Sequence, residues 1–134
     1  MEPLRTLVLG INLHLVSTAD GGRRTALAGG CELGDRFTYR PNWGLPGWAD
    51  GEQTGAPVLG FSRSGIQPGD DARAVIVPMY PAEVPAWHDV EVGEALRMYE
   101  GSRICGRAVV VWTEPATWRM PKDDEARLVR WLTG

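Results

Sequence analysis

The sequence predicts an all-β fold: a small six-stranded antiparallel closed barrel followed by a short C-terminal helix. Three observations carry that expectation. Residues 7–15 alternate apolar and polar positions with a period of two, the mark of a strand with one buried face. Seventeen glycines and ten prolines in 134 residues suit short strands joined by many turns better than a helical bundle. Several further β runs are separated by turn chemistry, and closing such strands into a barrel removes exposed edges. The composition is that of an ordinary globular protein, 43% hydrophobic and 23% charged, which argues against disorder.

In chain order, the first strand places Leu7, Leu9, Ile11, Leu13 and Leu15 on one face and Gly10, Asn12 and His14 on the other. Asp20-Gly21-Gly22-Arg23-Arg24-Thr25 is a flexible, charged turn. A short strand over residues 36–39 is closed by Arg40-Pro41, and residues 42–55, with Trp43 and Trp48, read as a long loop. Residues 58–61 form a third strand, and Gln67-Pro68-Gly69-Asp70 a tight turn. The strongest β run, residues 72–80, centres on Val75-Ile76-Val77; Pro78 cannot donate to a ladder and marks its end or an edge. After a proline-punctuated connection over residues 81–88, residues 95–99 and 104–112 form a hairpin across Glu100-Gly101-Ser102-Arg103. The tail changes period. Asp123-Asp124-Glu125 precede Arg127 and Arg130, the charge order that complements a helix dipole, and Leu128, Trp131 and Leu132 make one apolar stripe. The whole chain, residues 1–134, reads as a single domain, with the barrel over residues 7–112 and an extension over residues 113–134.

Charge narrows the function classes. A formal net charge of −3 lacks the basic excess on which dedicated nucleic-acid binders draw, leaving only a local patch for phosphate contacts. Cys31 and Cys105 are far apart and form no metal-binding spacing. They are expected as free thiols in a reducing compartment, which makes the expected location cytoplasmic. The apolar start of the chain is interrupted by Asn12 and His14 and is followed by no small-residue cleavage site, so it is expected to be a strand rather than a signal peptide. No segment is long enough to be expected to span a bilayer.

Four motifs occur in one order: Gly21-Gly22-Arg23-Arg24-Thr25, Tyr39-Arg40-Pro41-Asn42-Trp43, Pro68-Gly69-Asp70-Asp71, and Glu100-Gly101-Ser102-Arg103 with Gly106 and Val109-Val110; Thr54-Gly55 precedes the third strand. Together they resemble the third, C-terminal barrel domain of elongation factor Tu, here standing alone, whose pattern runs GGRHT, YRPQF, PGD before a long strand, and EGGRTVGAGVV. Arg24 stands where the family has His, Asn42 and Trp43 where it has Gln and Phe, and Ser102 where it has Gly. The resemblance implies a barrel that holds the T-stem side of aminoacyl-tRNA through phosphate and sugar contacts. Arg23, Asn42, Thr54, Glu100 and Gly101 match positions on that surface. Tyr80 departs from it, standing where the bacterial factors carry a basic residue before a proline. No GxxxxGK[ST] phosphate loop is present, so neither GTP hydrolysis nor a nucleotide partner is expected.

Other constellations have plain structural readings. His88-Asp89 reads as a surface pair, because a catalytic triad is defined by geometry and not adjacency. Two histidines and two scattered cysteines make no metal site. Asp70-Asp71 and Asp123-Asp124-Glu125 suit a turn and a helix start. The cluster Arg23, Arg24, Arg36 and Arg40, interleaved with Tyr39 and Trp43, suits RNA, where guanidinium groups meet phosphate and rings stack on bases; its alternative is a solvated barrel rim. The expected function is a binding module with no catalytic residue, cofactor or metal. It would take an RNA stem such as that of tRNA through Arg23, Arg24, Thr25, Arg40, Asn42, Thr54, Glu100 and Gly101. The alternative is a protein-interaction module that docks a translation-related partner, another protein or a second copy through Trp48, Trp118 and Trp131, which otherwise cap a core face.

Overall fold

A computed structural model describes residues 4–30 and 39–134. Its strands are β1 (Leu4–Leu15), β2 (Leu27–Ala28), β3 (Asn42–Gly44), β4 (Thr54–Gly55), β5 (Val58–Phe61), β6 (Gly65–Ile66), β7 (Asp71–Ile76), β8 (Ala95–Glu100) and β9 (Arg103–Trp118), followed by the helix α1 (Lys122–Thr133). Short 3-10 turns lie at Thr18–Asp20 and Pro85–Asp89.

The predicted six-stranded closed barrel is corrected. The main sheet is open and seven-stranded, in the order β4-β3-β8-β9-β1-β7-β5, and β2 and β6 form a separate two-stranded ribbon. An isolated antiparallel bridge joins Tyr39 to Val58, and among the described residues it does not extend into a ladder. The reason is local. The edge strand β4 has only two residues, and Pro57, which separates it from β5, has no N–H to give.

Other boundaries shift with equally local causes. The predicted strand at residues 36–39 falls, except for Tyr39, outside the described residues. The loop expected at residues 42–55 is bracketed by β3 and β4, which pair Asn42 with Gly55 and Trp43 with Thr54. The strand expected at residues 72–80 stops at Ile76, before Pro78. The hairpin forms as expected, with Glu100 opposite Arg103. Its second strand, however, continues to Trp118, laying Thr113–Trp118, which the sequence assigns to the extension, against the first half of β1. Beyond Val109 no pairing with β8 remains, so β9 is an edge there and tolerates Pro115.

Two apolar clusters hold the sheet. The odd residues of β1, from Leu7 to Leu15, are 7% exposed or less and face the main core with Trp43, Phe61, Ile66, Leu96, Met98 and Trp87. On the opposite face, Val8, Leu59, Val75 and Val77 are also buried, covered by Met120, Leu128 and Leu132. That second cluster is why α1 exists as a packed element: its apolar stripe closes the outward face of β5 and β7. Arg73 reaches over the end of α1 and donates from Nη2 to the carbonyls of Leu132 and Gly134 at 3.2 and 3.3 Å, serving carbonyls that no helical turn can satisfy.

Candidate functional site

The residues singled out in the sequence fall into two neighbouring groups. The first surrounds the β8–β9 turn. Arg23 is ion-paired to Glu100, and the Tyr39 hydroxyl donates to the same carboxylate oxygen. The Arg23 guanidinium also donates to the carbonyls of Thr25 and Ala26, at 3.2 and 3.4 Å. Arg23 therefore stitches the turn after β1 to the β8–β9 hairpin. Burial, together with the hydrogen bond to Glu100, pushes the Tyr39 hydroxyl pKa far above its usual range. Beneath them, burial and the nearby Glu100 charge push the Cys105 thiol up to about 12. Arg24 and Thr25 are exposed on the same turn. Gly101, at φ 61°, takes the left-handed conformation that closes the two-residue hairpin turn.

The second group is a cleft of about 560 Å³ between β3–β4 and the segment after β7. Arg40, Asn42 and Thr54 line one part of it; Tyr80, Glu83, Val84 and Trp118 line the rest, over the buried Trp87. A hydrogen-bond chain links the cleft to the hairpin. Asn42 Nδ2 donates to Gln53 Oε1 at 3.2 Å, and Gln53 Nε2 donates to the Gly101 carbonyl at 2.8 Å. Five of the expected contact residues, Arg40, Asn42, Thr54, Glu100 and Gly101, thus belong to one connected surface, whereas the Arg23 side chain is held inward by its own partners.

The arginine–aromatic interleaving read from the sequence does not occur in space in that form. Trp43 is fully buried and donates its indole N–H to the Ala56 carbonyl at 2.9 Å, Tyr39 is committed to Glu100, and Arg36 lies outside the described residues. Among the described residues, the ring that stands in solvent is Tyr80, 69% exposed at the cleft. From sequence, Tyr80 stands where a cation is lost but a ring can still stack or donate one hydrogen bond. Its signal was positional: an aromatic between Pro78 and Pro81 cannot be carried inward by a continuing strand.

The three tryptophans of the alternative reading do not share a patch. Trp48 packs against the main core and its carbonyl accepts from Arg97 at 2.9 Å. Trp131 stacks edge-on to Trp112 at 5.2 Å, with the Arg73 guanidinium 5.6 Å from its ring centroid. Only Trp118 lines the cleft. His88 and Asp89 are exposed on the 3-10 turn, and the smaller cleft that His88 lines contains no serine or cysteine. His14 faces solvent and is bonded to Asp71 at 2.9 Å. Among the described residues no group of three or more His, Cys, Asp or Glu could hold a metal ion, and no helix is long and apolar enough to cross a membrane. Cys105 is a free, buried thiol; Cys31 lies outside the described residues. No family model matches the chain, and no curated protein matches it.

Proposed function

We propose that this domain is a non-catalytic module that binds RNA, such as the stem of a tRNA, on the surface running from the cleft to the β8–β9 turn. The observation that carries this reading is the meeting of Arg40, Asn42 and Thr54 in one cleft, tied by Gln53 to the Gly101 backbone. A cation, an amide and a hydroxyl are the groups that contact phosphate and ribose without reading sequence. Arg24, exposed on the neighbouring turn, adds a second cation. Arg23 is a positioning residue here, holding Glu100 and the hairpin in place. The motif resemblance to the tRNA-contacting domain of elongation factor Tu supports the same surface.

Titration with tRNA at low and high salt tests the reading. Binding is expected to weaken as salt rises. Arg40→Glu is expected to reduce both the affinity and the salt slope, the slope by about one for each phosphate that is no longer neutralised. Absence of binding at low salt would overturn it. The competing assignment, docking of a protein partner, draws its support from the apolar wall that Trp118, Pro41 and Pro57 give the cleft. It requires binding that survives high salt and Arg40→Glu but disappears with Trp118→Ala.

A further inference from the structure

We infer that the cleft takes an unpaired nucleotide of the bound RNA, stacked on Tyr80, beside the stem whose backbone the neighbouring surface holds; this rests on the RNA reading above. A cleft of about 560 Å³ lies within the roughly 300–1,000 Å³ typical of sites for small, compact ligands. A base-paired stem offers no planar face to such a cleft, because its bases are stacked and paired inside the helix, whereas an unpaired base offers one. The lining matches the parts of a nucleotide. Tyr80 stands 69% exposed in the lining of the cleft, so its ring is accessible to a base. Trp118 is a second, partly buried ring in the wall, and Trp87 gives the floor an apolar surface. Arg40 supplies a cation for the phosphate. The Glu83 carboxylate repels phosphate and accepts hydrogen bonds from a ribose hydroxyl or a base amino group, which gives the nucleotide a direction in the cleft. Asn42 and Thr54 add donors and acceptors at the side facing the hairpin.

The test compares two RNAs by fluorescence anisotropy: a hairpin with a blunt stem, and the same hairpin carrying a short single-stranded extension. The extended hairpin is expected to bind more tightly. Tyr80→Ala is expected to cost the extended hairpin roughly 5- to 150-fold in affinity, bringing it to the level of the blunt one, while Tyr80→Phe, which keeps the ring, preserves the difference. Tyr80 is on the surface, so neither change touches the core. Equal binding of the two hairpins, or an extended hairpin indifferent to Tyr80→Ala, overturns the inference and leaves the RNA reading standing. Failure of both hairpins to bind removes both, and leaves the cleft to a protein partner.

Discussion

At the scale of single residues, the β8–β9 hairpin rests on a carboxylate shared by two donors. Glu100 receives Arg23 and Tyr39 together, and its charge also bears on Cys105. Tyr39 and Cys105 are neutral when protonated, and folding holds both protons more tightly than the unfolded chain does. The stability tied to the Cys105 proton is therefore fully present below pH 9.0 and is lost as pH rises toward about 12. For Tyr39 the loss begins only near 10.0. Each group lowers stability by at most about 1.4 kcal/mol per pH unit within its window. Melting temperature is thus expected to fall as pH rises from 9.0 to 10.0, and to fall less steeply in Cys105→Ala, which lacks the titrating thiol. An equally steep fall in both proteins would mean that the Cys105 proton is not held by the fold. The same residues show what the sequence leaves out about Arg23. A glycine-rich, charged turn announces an exposed arginine, and nothing in the local sequence reveals that Glu100, 77 positions away, will claim it.

At the scale of elements, α1 and the outward face of the sheet are two halves of one apolar layer. A plain half-buried strand would leave the even residues of β1 in water. Here Val8 is 1% exposed, because α1 and the Trp112–Trp131 pair lie over that face. Gly10 belongs to the same arrangement: a β-carbon there would fall 2.2 Å from Cε2 of Trp112, so the indole lies directly on the strand backbone. Leu128 is the buried centre of the helix stripe. Leu128→Ala is expected to destabilise the protein by about 2–5 kcal/mol, the usual cost of emptying such a position, with a shift in urea midpoint as the measure. A loss below about 0.5 kcal/mol would place α1 outside the cooperative fold. The helix itself was legible from its spacing of Leu128, Trp131 and Leu132 and from its charge order, because both depend only on neighbours within two turns. The length of β9 was not. Pro115 argues against a strand unless one side of it is an edge, and edge or centre is a property of the sheet order.

At the scale of the whole molecule, the fold is an open sheet whose long central strands carry shorter ones outward. β1 and β9 pair over twelve positions, while β4 and the β2–β6 ribbon pair over two each. Protection should follow that gradient, since a segment held by few hydrogen bonds opens locally at little cost. Amide exchange is expected to be slowest in the paired middle of β1, β7 and β9 and fastest in β2, β4 and β6. Uniform protection across all these strands would contradict this picture. The gradient also bears on the proposed site, because β4 and the segment after β7 form two walls of the cleft. The cleft is thus built partly from the least secured strand of the sheet, which suits a surface that must admit a ligand.

What could be read from the chain alone was whatever depends on near neighbours: the β character, the alternation of β1, the tight hairpin at Gly101, the end of the strand before Pro78, and the amphipathic helix. Arg40, Asn42 and Thr54 were also singled out together, through motifs that keep their order in the sequence, and they line one cleft. Four features needed distant segments to meet: an open sheet instead of a closed barrel, the inward turn of Arg23, the burial of Trp43, and the exposure of Tyr80 over a cleft. Sheet closure depends on whether the two outermost strands can pair, and β4, two residues long and followed within two positions by Pro57, cannot sustain a ladder. Exposure of a side chain depends on what packs against it, and for Trp43 that was settled by strands far away in sequence, β8 among them.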